Sequence, residues 1–214
     1  MILNLSCIVE GHGEVSAVRI LLQRIQQALD SALHLEISSI RLPRKKLVKS
    51  NELEKAVEFA ANSVQPPRGV LILIDADDDC PAELGPELLA RARKARSDVS
   101  IGVVLAKYEY EAWFLASLQS LAGKRGLPAN PPVVADSESI RDAKGYLTRL
   151  MPRTRAYSPR HDQPALTDRF DMQMARKRSP SFDKCWREIE RLFTEVSTHQ
   201  RGIPDSDSSD SGST

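Results

Sequence analysis

Cysteine is scarce in this chain and poorly spaced for chemistry. Cys7, Cys80 and Cys185 are the only three, far apart and without a C-x-x-C or Cys/His interval. That spacing argues against a zinc site and leaves free thiols, expected to be buried or partly buried. Cys80 stands beside aspartates whose like charge disfavours a thiolate, so no nucleophilic role is expected for it. Aromatic residues make up 5% of the chain, too few to infer a stacking platform for single strands. No apolar run approaches a bilayer span. The first nine residues carry neither a basic leader nor a small-residue cleavage site, so no membrane role and a cytoplasmic location are expected. Gly11-x-Gly13 is not followed by Lys-Ser or Lys-Thr, and no Walker motif occurs elsewhere. His12 lies inside an acidic motif and could touch substrate or metal, but His34, His161 and His199 have no partner spacing, and no Ser-His-Asp or Cys-His pattern appears.

What is present is charge, and it is segregated. The formal net charge is only +1. Arg41 to Lys49 nevertheless holds five basic residues and no acid, and Arg141 to Arg191 holds 13 Lys or Arg against 7 Asp or Glu. From Asp205 to Thr214 there are three Asp and no base among serines and glycine, which reads as a disordered tail over 199–214. Acidic clusters beside basic flanks suit a metal-dependent enzyme acting on a polyanion; solvated surface charge is the competing explanation for any single Lys or Arg.

Hydropathy periodicity predicts alternating strands and helices. Strands are expected at Ile2 to Val9, Leu35 to Leu42, Gly69 to Ile74 and Ser100 to Leu105. Helices are expected at Gly13 to Ala32, from Ser50-Asn51 to Asn62, at Pro86 to Arg96 and from Tyr108 to Leu121. The continuously apolar third strand reads as central and covered on both faces. The fold class is therefore α/β, with a mostly parallel sheet, helices on both faces and a helical C-terminal extension. The expected division is a core over 1–123, shorter helices over 124–198 and the tail. In the extension, helices are expected at Ser137 to Leu150 and Ser181 to Thr194, with a turn near Pro164 to Asp171.

Three acidic clusters follow these strands. Glu10 and Glu14 flank Gly11-His12-Gly13; Asp75, Asp77, Asp78 and Asp79 end the central strand; Glu109 and Glu111 follow the fourth. Ligands in parallel sheets sit at the carboxyl ends of the strands, where all three clusters fall. Hard oxygen donors there suit Mg²⁺ or Mn²⁺. Asp75-x-Asp77 places two carboxylates on one side of an extended segment. Each acid also has an ordinary explanation. Glu14 is favourable at a helix N-terminus by about 0.3–1 kcal/mol, aspartates are common in turns, and Glu109 and Glu111 suit a helix start. A calcium loop of the EF-hand kind is excluded, because Cys80 and Pro86 occupy its glycine and glutamate positions. Lys107 could pair with an acid, contact phosphate or stabilise leaving-group charge.

Val9-Glu10-Gly11-x-x-Glu14, Asp75-x-Asp77 after an apolar strand, and Glu109-x-Glu111-x-Trp113-Phe114-Leu115-Ala116 resemble the Toprim fold. They resemble more closely a bacterial family of small Toprim-like proteins, of unknown function, related to OLD-type nucleases. The segments Lys144 to Leu150 and Ser179-Pro180-Ser181-Phe182 look like that family's helical C-terminal part. The resemblance implies acid/base or metal-binding work for Glu10 and Mg²⁺ binding by Asp75 and Asp77. It also implies a partner ATPase, of ABC or AAA type, in anti-phage defence. The expected function is a divalent-metal-dependent nuclease cutting DNA or RNA. Its expected catalytic residues are Glu10, Glu14, Glu111 and Lys107, and its metal ligands Glu10, Asp75, Asp77 and Asp79. Its phosphate contacts are expected at Arg44, Lys45, Lys46 and Lys144, and a homo-oligomer is possible. The alternatives are a non-catalytic regulatory or effector subunit bound to an ATPase, and a nucleotide-binding module.

Overall fold

The computed structural model describes residues 2–29, 33–66 and 68–201. Its sheet has four parallel strands, β1 (Ile2–Val9), β2 (His34–Arg41), β3 (Arg68–Asp75) and β4 (Ser100–Ala106), in the order β2-β1-β3-β4. Parallel neighbours need crossover helices. These are α1 (His12–Ala28) from β1 to β2, α2 (Arg44–Leu47) and α3 (Glu52–Asn62) from β2 to β3, and α4 (Pro81–Ala95) from β3 to β4. The strand order reverses between β1 and β3, so their carboxyl ends flank a topological switch point, the place where open α/β sheets bind ligands.

Alternation along each strand divides the core. Leu3, Leu5, Cys7 and Val9 of β1 join Leu71, Leu73 and Val104 in one cluster, beneath Leu21, Leu22 and Ile25 of α1. Ile8, Val70, Ile72, Ile74, Val103 and Leu105 face the other way, onto Val57 of α3 and Leu88 of α4. The α/β expectation with helices on both faces is met.

After β4 come α5 (Ala112–Ala116), two 3₁₀ turns (Leu118–Leu121 and Ser137–Ser139), α6 (Ala143–Leu150), α7 (Pro159–Thr167), α8 (Met172–Arg178) and α9 (Pro180–Arg201). This extension shares the core of the first cluster. Leu127, Leu147, Phe170, Trp186 and Leu192 are contiguous with Leu5 and Leu71. Few as they are, the aromatics concentrate at this seam. Trp113 and Phe182 lie 5.1 Å apart and Phe114 and Phe170 5.6 Å apart, between centroids, and such pairs add about 0.5–1.5 kcal/mol each beyond burial. The expected boundary at residue 123 is thus no boundary of the core.

Several element limits differ from expectation. The helix expected from Tyr108 shortens to α5, because Tyr108 takes a positive φ of 57° and pairs across an isolated bridge with Asp77. The helix expected at Pro86 begins at Pro81, where a proline suits the first turn, and carries Pro86 inside it. The turn expected near Pro164 falls instead within and after α7, which begins at Pro159, and the short α2 and α8 were not expected. Residues 199–201 belong to α9 and not to the tail, while 202–214 lie outside the described residues. Cys7 and Cys185 are buried, and burial pushes the Cys7 thiol up to about 12; Cys80 is exposed, contrary to expectation.

Candidate functional site

The chain turns out of β1 at Glu10, and α1 starts after Gly11. Glycine has no side chain to cap the helix, and Glu14 does so instead: its Oε2 accepts from Glu10 N at 2.9 Å and Gly11 N at 3.1 Å. Glu14 therefore fixes the turn that aims Glu10. The Glu10 side chain is half-buried, and its Oε2 is a buried atom with no hydrogen-bond partner.

Asp75 ends β3 beside it and is 6% exposed. Its Oδ1 accepts from Tyr110 N at 2.7 Å, and its Oδ2 lies 3.1 Å from Lys144 Nζ. The same ammonium reaches Glu109 Oε1 at 3.0 Å and Glu111 Oε2 at 3.2 Å. Glu111 is fully buried; Tyr157 Oη donates to its Oε1 at 2.8 Å, whereas its Oε2 is close to Lys144 without hydrogen-bond alignment. Lys144 also donates its backbone N–H to Glu109. One lysine from the first turn of α6 thus gathers carboxylates from two strand ends.

The electrostatics follow from this count of charges. Burial, then repulsion from Asp75 and Asp77, pushes the Glu10 carboxyl up to about 7. Burial also raises Glu14, Asp75 and Glu111. Burial alone would lower the Lys144 ammonium, but Asp75, Glu111 and Glu109 together hold it above its ordinary value. Lys144 stays charged, while Glu10 and Glu14 hold protons that a further cation would displace. Among the described residues, no three His, Cys, Asp or Glu side chains already form a ready ligand set; Lys144 stands among the acids instead. The donor chemistry, with the orphaned Glu10 Oε2 and Glu111 Oε2, fits a hard divalent ion.

The remaining expected site residues lie around this cluster. Asp77 has a positive φ of 50° and a 60% exposed side chain 3.5 Å from Arg44. Asp79 pairs with Arg44 and Asp78 with Arg141. Arg44 is itself largely buried and donates to the carbonyls of Asp75 and Ala76, so it clamps the 75–79 loop. Lys45 and Lys46 are exposed on α2. Lys107 Nζ lies over the Tyr108 ring, 4.2 Å from its centroid. His12 is exposed and its Nε2 accepts from Arg41. The sequence did not single out Tyr157 or Gln163, which carry no motif, and Glu109 was outside the expected catalytic and metal sets.

A cleft of about 420 Å³ opens beside the acids, lined by Glu10, Glu14, Asp75 and Lys144 on one side and by Arg160 and Gln163 of α7 on the other. Gly13 makes it possible: a Cβ there would stand 2.2 Å from Gln163 Oε1 and 2.3 Å from the Pro159 carbonyl oxygen. A larger depression of about 690 Å³ between α3 and α4 is lined by surface side chains such as the ion-paired Arg91 and Glu54. The smaller cleft is the candidate because the buried charge is there.

No helix of the described residues is long and apolar enough to cross a membrane. No curated protein and no solved structure matches the chain. One family model does, over residues 9–190, a span that runs from the end of β1 into α9 and includes Glu10, Asp75, Glu111 and Lys144. The chain belongs to that family, the domain of unknown function DUF4276.

Proposed function

We propose that the protein is a divalent-metal-dependent phosphodiesterase acting on nucleic acid. The observation that carries this reading is the group of under-neutralised carboxylates Glu10, Glu14, Asp75 and Glu111 at the switch point, with one ammonium among them. Glu10, Asp75 and Glu111 would hold Mg²⁺ or Mn²⁺, with Asp77 next to them. When bound, such an ion polarises a phosphoryl oxygen and offsets the charge developing on it.

The chain's own groups supply the rest. Glu10, holding the ion through Oε2, would orient an attacking water through its other oxygen. Glu14 positions Glu10 through the two backbone N–H groups it accepts from. Lys144 Nζ, freed from part of its carboxylate set when a metal enters, can face a phosphoryl oxygen. Lys45 and Lys46 are exposed and available to a polyanion, whereas Arg44 is committed to the 75–79 loop. The resemblance to Toprim-like proteins related to OLD-type nucleases supports the same chemistry and extends it to an effector working with an ATPase partner in defence.

The test is cleavage by purified protein with Mn²⁺, compared with Asp75→Asn. Asparagine keeps an Oδ1 acceptor for Tyr110 N, so the variant is expected to fold. Cutting of DNA or RNA by the wild type and its loss in the variant are expected. Equal cutting by both would mean contamination and would end the proposal.

A further inference from the structure

The wall of the cleft opposite the acids has no role in the metal reading. It is the start of α7: Ser158 and Pro159, then the exposed Arg160, then Gln163 one turn on. No side chain caps this helix through Ser158. Gln163 is 1% exposed, and its Nε2 is a buried donor with no acceptor. A buried amide donor without a partner is costly to leave unmet, so a polar ligand is the natural acceptor. The one acid on this turn, Asp162, is already neutralised and bonded: Arg125 and Arg155 pair with its Oδ1, and its Oδ2 accepts from Ser158 N at the start of α7.

We infer that the α7 wall of the cleft is a phosphate subsite, in which Gln163 Nε2 and the backbone N–H and guanidinium of Arg160 bind the oxygens of a nucleic-acid phosphate beside the carboxylate cluster. The inference rests on the nucleic-acid reading above and deepens it. At the start of α7 Pro159 has no N–H, and the N–H groups of His161 and Asp162 donate to the Ser158 carbonyl, so Arg160 N is the backbone donor left for an anion. Arg160 adds a fork of donors that matches a phosphate. Gly13 keeps α1 close enough to α7 for Gln163 to line the same cleft as Glu10. The acids across the cleft repel a bare phosphate, so the subsite would hold it best once a divalent ion has offset their charge.

The experiment measures binding of a short fluorescent oligonucleotide by anisotropy, in EDTA and in Ca²⁺, for wild type, Gln163→Met and Arg160→Ala. Mn²⁺ binding by calorimetry is run on the same proteins. Methionine keeps the length of Gln163 and removes its donor; Arg160 is exposed, so its variant folds even if the buried substitution does not. Loss of one hydrogen bond to a charged oxygen predicts about a tenfold weaker oligonucleotide Kd in each variant, with Mn²⁺ affinity unchanged. Inorganic phosphate should compete with the oligonucleotide for wild type and poorly for the variants. A 5′-phosphorylated strand binding more tightly than its unphosphorylated twin would assign the subsite to a terminal phosphate; equal binding would assign it to a diester. Mn²⁺ binding with oligonucleotide affinity indifferent to both substitutions would overturn the subsite, leaving Nε2 to a buried water, while the metal reading stood. Variant-sensitive oligonucleotide binding by a protein that takes up no Mn²⁺ would do the reverse.

Discussion

Lys144 Nζ lies 3.1 Å from Asp75 Oδ2, so a cation of the chain itself occupies the middle of the acidic cluster. The side chain of Asp75 is 8% exposed and that of Glu111 not at all, whereas Lys144 reaches them from a one-third exposed position. Removing the lysine leaves buried acids without their counter-ion.

Lys144→Met should therefore destabilise the metal-free protein by about 3 kcal/mol, as breaking a buried ion pair does. Mn²⁺ should restore part of that loss by replacing the missing charge. Urea denaturation with EDTA and with Mn²⁺ measures both quantities. A variant as stable as wild type without metal would show that the acids do not depend on the ammonium.

The acids also set a pH dependence. Glu10 and Glu14 have an ordinary value of 4.5 and are raised to about 7 and about 8 in the fold. Between those limits the folded chain holds protons that the unfolded chain has released. Stability of the metal-free protein is thus fullest below about pH 4.5 as far as these groups contribute, and is lost as pH rises through about 7 to 8. Metal binding must release those protons, so Mn²⁺ affinity should climb over the same window. Denaturation in EDTA across the window is the check, and stability that rises through it would contradict the assignment.

The turn at Gly13 offers a contrast within one protein. Gly13→Ala drives a Cβ to 2.3 Å from the Pro159 carbonyl oxygen, part of a backbone that cannot rotate away. A loss of about 1–3 kcal/mol is expected, as for overpacking, along with a disturbed cleft. At Gly102 the Cβ meets Leu192 Cδ1 at 2.7 Å, the far end of a flexible side chain, so Gly102→Ala should cost less. Thermal denaturation of the two variants would show the order; a milder effect at Gly13 would mean that α1 and α7 are not held in contact there.

How much of this was legible in the sequence depends on range. Glu10 and Asp75 are readable because each follows a short apolar run whose β-branched residues mark a strand, and parallel strands put their carboxyl ends on one edge. Periodicity likewise yields the sheet and its covering helices. It cannot yield the partners of those acids. Lys144 is separated from Asp75 by 69 residues, and nothing local distinguishes it from the other basic residues of its region. Arg44 looks like a phosphate contact in a basic run, yet it turns inward onto the carbonyls of Asp75 and Ala76. Tyr157 and Gln163 acquire meaning only when the extension folds over the sheet. Pro164 concealed α7, because proline signals a turn more often than a helix interior.

Calorimetric titration of Mn²⁺ into wild type and Asp75→Asn is the most direct test of the central claim, that the acids at the switch point form a divalent-metal site. Wild type should bind Mn²⁺ with release of protons, and Asp75→Asn should bind at least about tenfold more weakly, since even the loss of an outer-shell partner of a metal ligand costs about 10–100-fold. Absence of Mn²⁺ binding to a folded wild type, or equal affinity in the two proteins, would contradict it.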